Sequence, residues 1–199
     1  MTAERDLHAQ TALRAEDVVR LVNELTGRTC PLCRRPLCGH EVVASVLLGL
    51  KNDPRCLECM ARDLGHESRV FVDQVRAQVR HRECFEAGWQ HSDTLDHGAM
   101  PCRARSSATD ESIITAIADD VSDATDHPAD AAFDAGDMGC GDLVLELRIQ
   151  LKSLRAGSVL HVTARDPGAP EDLPAWCRLT GHTMLAQGHP EYWIRRRPD

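Results

Sequence analysis

Two Cys-x-x-Cys pairs, Cys30-Pro31-Leu32-Cys33 and Cys56-Leu57-Glu58-Cys59, stand 22 residues apart in a chain with nine cysteines. A pair at this spacing can fold into a knuckle that turns two thiolates toward one ion. Two knuckles complete a closed tetrahedral site, which has no open position and therefore staples a fold rather than catalysing a reaction. Structural zinc on Cys30, Cys33, Cys56 and Cys59 is the expectation. Cys38 and His40 follow the first pair closely, and His81 and Cys84 are spaced to share a helical face. Either couple could replace a knuckle or help form a second site. An iron–sulfur cluster is chemically allowed by the same thiolates. A thioredoxin-like redox pair fits less well, because no β-α-β pattern surrounds these cysteines.

A different chemistry is suggested by Cys140, in the stretch DMGCGDLVLELRIQL. Leu143, Val144, Leu147, Leu151 and Leu154 recur at steps of three and four, which predicts an amphipathic helix opening at that cysteine. The amides of a first helical turn and the positive end of the helix dipole favour thiolate over thiol, which is a way to make a nucleophile. A cysteine merely filling the N-cap slot is the other reading. Cys177 lies on the apolar face of a short predicted helix beside Trp176, where burial is the first expectation and a resolving role opposite an oxidised Cys140 the second. His161 and His182 read as strand or surface residues, Cys102 as a bystander, and Arg195, Arg196 and Arg197 as a solvated basic end that could also dock an acidic partner.

The elements that must position these groups fall into three segments. Residues 1–97 hold six of the cysteines and three helical stripes: Leu13, Val18, Leu21, Val22 and Leu25; Val42, Val43, Val46, Leu47 and Leu50; and Phe71, Val75 and Val79 running on to Phe85 and Trp89. Gly27 and Gly65 stand where helices would end. Residues 98–130 carry two basic and seven acidic side chains, hence −5 of the chain's −8, and too few large apolar groups for a core. They read as a flexible linker, in which ESIITAIADDV could at most form a short helix.

Residues 131–199 read as β-α-β-α-β-β: a strand at AAFDAGDM, the helix from Cys140, a turn at Arg155-Ala156-Gly157, and a strand at SVLHVTARD with alternating Leu160, Val162 and Ala164. A short helix in PEDLPAWCRLTG and two strands around Gly188-His189-Pro190 follow. Helices on one face of four strands give a two-layer sandwich. The fold class is therefore α+β: a two-layer α/β sandwich preceded by a small, mainly helical, zinc-binding domain.

Composition narrows the function classes. No apolar run approaches the ~20 residues of a membrane helix, and MTAERDLHAQ is too charged for a secretory leader. A soluble, cytoplasmic protein is expected, in which nine cysteines point to metal or thiol chemistry rather than a disulfide framework. Neither end of the chain has the basic excess of a protein that binds nucleic acid by neutralising phosphates.

Residues 131–199 resemble the TusA/SirA family of small sulfur-carrier proteins. FDAGDMGC resembles the family's first strand and its turn into the active cysteine, with Asp134 six residues before Cys140. LRAGSVLHV resembles its helix-to-strand turn. Asp166, Pro167, Asp172, Leu173, Pro174, Trp176, Cys177 and His182 match its D-P, D-[IL]-P, aromatic-Cys and His segment, and EYWIRRR resembles its last strand. The resemblance implies a sulfur relay: a persulfide forms on Cys140, supplied by a cysteine desulfurase or rhodanese-type donor, and passes to an acceptor protein without an organic cofactor. The family's Cys-Pro-x-Pro motif reads Cys140-Gly141-Asp142-Leu143 here, so the prolines that stiffen the nucleophile's turn are absent, and Asp142 brings a negative charge near the thiol. Sulfur transfer is the leading function. An inactive, zinc-dependent adaptor or regulator built on the same domain is the alternative, and a thiol-based redox or metal sensor a third.

Overall fold

The structure, a computed structural model, describes residues 14–95, 102, 104 and 127–198; of Cys140 it describes the backbone. Two apolar cores organise it. The first belongs to five helices: α1 (Ala15–Leu25), α2 (Gly39–Leu47), α3 (Leu57–Leu64), α4 (Ser68–Val79) and α5 (Glu83–Thr94). Val18, Val22 and Leu25 turn the narrow apolar stripe of α1 inward. Helix α2 is buried along its whole length, polar His40, Glu41 and Ser45 included, so it sits at the centre with α1 and α5 against it. Gly88 makes the α1–α5 approach close, since a Cβ there would meet Val18 Cγ1 at 2.5 Å.

The third expected stripe is two helices rather than one. The chain turns at residues 80–82 between α4 and α5. Arg82 is extended (φ −134°, ψ 120°) as the N-cap of α5. Its guanidinium is held by Asp172 and Asp166, some 90 residues downstream (Nε–Asp172 Oδ2 2.6 Å, Nη2–Asp166 Oδ1 2.8 Å). A local periodicity carries no trace of that long-range pull, so the apolar positions run on through the break.

The second core lies between a sheet and two helices. Strands β1 (Ala131–Gly136), β2 (Val159–Ala164), β3 (Thr183–Gly188) and β4 (Glu191–Arg195) are ordered β1-β2-β4-β3, with α6 (Cys140–Ser153) and α7 (Ala169–Thr180) as the crossover elements. β1 and β2 are parallel, pairing Phe133 with Val162; β4 runs antiparallel to both its neighbours, pairing Tyr192 with Val162. Leu160, Val162 and Ala164 point into the core as their alternation predicts. They meet Leu143, Val144, Leu147 and Leu151 of α6 and Leu173, Trp176 and Cys177 of α7. This is the predicted β-α-β-α-β-β sandwich with a helical unit before it.

The two units pack against each other. Leu179 of α7 is buried in the helical core, His66 Nε2 lies 3.0 Å from the Leu179 carbonyl, and Lys51 pairs with Asp142. Gly49 (φ +71°) touches the first turns of α6: a Cβ there would stand 2.6 Å from the Val144 carbonyl oxygen. A cavity of about 270 Å³ remains in the seam, with Arg55, Arg148, Lys152 and Arg197 on its walls. Apart from Cys102, Ala104 and residues 127–130, the stretch expected as an acidic linker lies outside the described residues, as does Leu13 of the first stripe. Among the described residues, no helix is long and apolar enough to cross a membrane.

Candidate functional site

The four cysteines of the two pairs converge. Their Sγ atoms all lie within 4.8 Å of one another, and Cys33 and Cys56 are 3.5 Å apart. Metal–sulfur bonds of about 2.3 Å in a tetrahedron put neighbouring sulfurs about 3.8 Å apart, so the spacing fits an ion of that kind. The first pair sits on a tight hairpin closed by Thr29 bridging Pro36, with the Cys30 N–H donating to Arg35 (2.7 Å). Arg34 takes the left-handed conformation (φ +63°) and donates back to the Cys30 carbonyl at 2.9 Å. The second pair opens α3, with Cys56 as its N-cap and Cys59 in the first turn, where unpaired amides favour anionic sulfur. Cys30, Cys56 and Cys59 are buried and pack with Leu37, while Cys33 is exposed.

Electrostatics around the cluster suit a bound cation. Burial pushes the Cys30 thiol up, but amides of Cys56, Cys33 and Leu32 outweigh it and bring it down to about 7. Cys59 is pushed well above the ordinary thiol range by burial and by the adjacent Cys56 and Cys33 thiols. Burial raises Cys56 as well. Crowded thiols resist losing their protons together, and a cation among them removes that resistance. Arg62 donates to Cys59 Sγ at 3.3 Å. The buried Glu41 carboxylate binds Arg35 (2.5 Å), the Leu57 N–H (3.2 Å) and the Cys38 N–H (3.0 Å), which ties α2 to both knuckles. Such outer hydrogen bonds fix the directions of ligands.

The alternates separate. Cys38, the N-cap of α2, and His40 come together with Cys102, whose Sγ lies 3.5 Å from Cys38 Sγ and 3.2 Å from His40 Nδ1. Cys102 is therefore no bystander. Its partners are 62 and 64 residues away in sequence, a return of the chain that no local pattern announces. His81 is exposed in the turn before α5 and Cys84 is half-buried in its first turn; among the described residues neither joins a ligand group. Their shared helical face disappeared with the break at 80–82.

Cys140 is the first residue of α6. Gly139 before it is the extended N-cap (φ −71°, ψ 160°), and its carbonyl accepts the N–H groups of Asp142 (3.1 Å) and Leu143 (2.9 Å). The helix thus starts at the cysteine without the two prolines. Asp142, two residues on, is engaged by Lys51 of the helical unit, a partner that sequence inspection missed. Cys177 is buried in the sandwich core, in line with a structural thiol. His161 stacks on Trp193 (4.5 Å) and meets Glu191 Oε2 at 2.6 Å. His182 stacks on Trp176 at 5.4 Å and accepts the Arg197 N–H on Nδ1 (3.1 Å). Burial, then the neighbouring Arg197, Arg196 and Arg148, holds it neutral with a pKa of about 4.

Residues 132–196 match the family model described as Sulfurtransferase TusA. The sulfur carrier protein TusA of Pseudomonas putida (strain W619) is 38% identical over 79 residues, which are 38% of this chain and 99% of that protein. That of Pseudomonas entomophila (strain L48) is 39% identical over 79 residues, again 38% of this chain and 99% of the relative. That of Pseudomonas paraeruginosa (strain DSM 24068 / PA7) is 36% identical over 77 residues, 37% and 98% of the two chains. The chain belongs to the TusA family. A whole TusA relative thus corresponds to the C-terminal sandwich, and the helical unit with its thiol clusters lies outside the residues that the family model matches. Cys140 and α6 lie inside them. In this TusA domain, the aspartates at the D-P and D-[IL]-P positions, Asp166 and Asp172, are the residues that hold Arg82.

Proposed function

We propose that this protein carries sulfane sulfur on Cys140 and relays it between partner proteins. Membership of the TusA family, with a cysteine as the first residue of α6, is the observation that carries the reading. The Cys140 thiolate attacks the terminal sulfur of a donor persulfide, R–S–SH. The donor's S–S bond breaks, RS⁻ leaves, and Cys140 holds the persulfide. An acceptor thiolate then attacks that terminal sulfur and restores the Cys140 thiolate, so the two steps move one sulfur with no net redox change. The first-turn amides of α6 favour the anionic sulfur in both states, and Lys51 offsets the charge of Asp142 beside it. The donor is a desulfurase or rhodanese-type protein, and the acceptor a protein thiol.

The chain is organised as a helical unit at 1–97, an acidic connector at 98–130 and the carrier domain at 131–199. Zinc on Cys30, Cys33, Cys56 and Cys59 would cross-link hairpin and helix and stabilise a unit with a small core. It takes no part in sulfur transfer. The helical unit presents the carrier to its partner, and the Lys51–Asp142 contact ties it to the start of α6.

Intact-protein mass spectrometry after incubation with a desulfurase and cysteine tests the reading. A reductant-labile sulfur is expected on the wild type and on Cys177→Ser, and none on Cys140→Ser. Lys51→Glu sets two negative charges near Cys140 and should slow sulfur uptake roughly three- to ten-fold at low salt. Absence of added sulfur, or sulfur indifferent to Cys140, would leave the adaptor reading, which the missing prolines at 141 and 143 favour.

A further inference from the structure

Cys102 lies beside Cys38 and His40 at the start of α2. Cys38 and His40 are buried and Cys102 is half-buried. The three donor atoms lie within 4.8 Å of one another, with separations of 3.5 Å between the sulfurs and 3.2 Å from Cys102 Sγ to His40 Nδ1. Two sulfurs and one nitrogen around a tetrahedral ion of bond lengths about 2.3 and 2.0 Å stand about 3.5–3.8 Å apart, so these two pairs need to open by only about 0.3 Å to take an ion.

The second, independent observation is the far side of the histidine. Asp93 Oδ1 of α5 lies 3.2 Å from His40 Nε2, while the Trp89 ring meets the imidazole edge-on at 4.6 Å. A carboxylate at ion-pair distance from one ring nitrogen, with the other nitrogen facing a thiol, resembles the support of a metal-bound histidine. This arrangement leaves Nδ1 facing Cys102 Sγ at 3.2 Å. The Cys38 N–H is taken by Glu41, the carboxylate that also braces the first thiol cluster, so both groups share one scaffold.

We infer that Cys38, His40 and Cys102 form a second metal site, for a borderline-to-soft d¹⁰ ion of the zinc class, distinct from the four-cysteine cluster. Two thiolates and an imidazole match that class and disfavour magnesium or calcium. Among the described residues no fourth donor joins the three. Because Cys102 follows α5, the ion also pins the beginning of the connector to the helical unit. The inference does not rest on the sulfur-carrier reading.

The test is metal content by mass spectrometry on the full chain, purified and dialysed with zinc, beside Cys102→Ala, Cys102→Ser and Cys33→Ser. Two ions per chain are expected for the wild type and one for each Cys102 variant, with the helical far-UV signal unchanged; Cys33→Ser should lose the other ion. Alkylation of the wild type supplies a readout that needs no variant. Peptide mapping should show Cys38 and Cys102 protected roughly ten-fold or more with zinc and released by a strong chelator. One ion per chain that survives Cys102→Ala would overturn the inference. So would alkylation of Cys102 at the same rate with and without zinc, or a Cys38–Cys102 disulfide in the zinc-loaded protein.

Discussion

Replacing Gly49 by alanine tests how tightly the helical unit grips the start of α6. Gly49 is left-handed (φ +71°), and a Cβ there would meet only backbone: the Val144 carbonyl oxygen at 2.6 Å and carbon at 2.9 Å, and Leu145 Cα at 3.1 Å. To reach an ordinary contact of 3.4 Å, loop and helix must part by 0.8 Å, the difference of the two distances. Gly65 provides the control. It closes α3 at φ +74°, and a Cβ there would meet nothing within 4 Å. Gly65→Ala therefore shows the conformational cost alone, about 1–2 kcal/mol, less the ~0.5 kcal/mol gained by stiffening the unfolded chain. Gly49→Ala adds overpacking against rigid backbone, about 1–3 kcal/mol more. With a urea dependence of about 2 kcal/mol per molar, Gly49→Ala should unfold about 0.5–1.5 M earlier than Gly65→Ala. The assay is urea unfolding of the full chain at one fixed zinc excess, since bound metal shifts apparent stability. Coincident midpoints for the two variants would refute the reasoning, because they would mean that the seam yields at no cost.

Arg82→Met strands Asp172, which is 4% exposed and loses its guanidinium partner. A loss of about 2–4 kcal/mol in the same unfolding assay is expected, most of it recovered in Arg82→Met/Asp172→Leu; a double variant no better than the single one would show that the pair itself, not the orphaned charge, matters. His182 titrates near 4 in the fold against 6.5 when exposed. Between those values the unfolded chain binds the extra proton, so stability falls as pH drops through this window, by up to about 1.4 kcal/mol per pH unit. Thermal melts of wild type and His182→Asn at pH 4.5 to 7 check this, and equal slopes would contradict it.

The carrier sandwich was legible in the sequence because its signals are local and agree. Leu160, Val162 and Ala164 alternate, the α6 stripe has helical spacing, and Gly181 stands left-handed where α7 stops. The four-cysteine cluster was legible for a similar reason, since each knuckle is a four-residue motif and the structure had only to bring two together. What sequence reasoning missed depends on contacts between distant residues. The break at 80–82 accompanies a guanidinium held by carboxylates of the other unit. Cys102 stands alone in an acidic stretch with no motif around it, yet it lies against His40. Lys51 belongs to no motif in the sequence, and only the packing of the α2–α3 loop on α6 gives it Asp142.

The burial of Leu179 bears on how the molecule can be divided. A stand-alone TusA relative corresponds almost end to end with the sandwich, which invites excision of residues 127–199 as a minimal carrier. In this chain the outer side of α7 is committed: Leu179 belongs to the helical core, and Asp172 and Asp166 hold Arg82. Cutting there would uncover an apolar side chain and two carboxylates that have lost their counter-charge. A fragment designed for expression should carry Leu179→Gln or Leu179→Lys to replace the surface that the helical unit now covers.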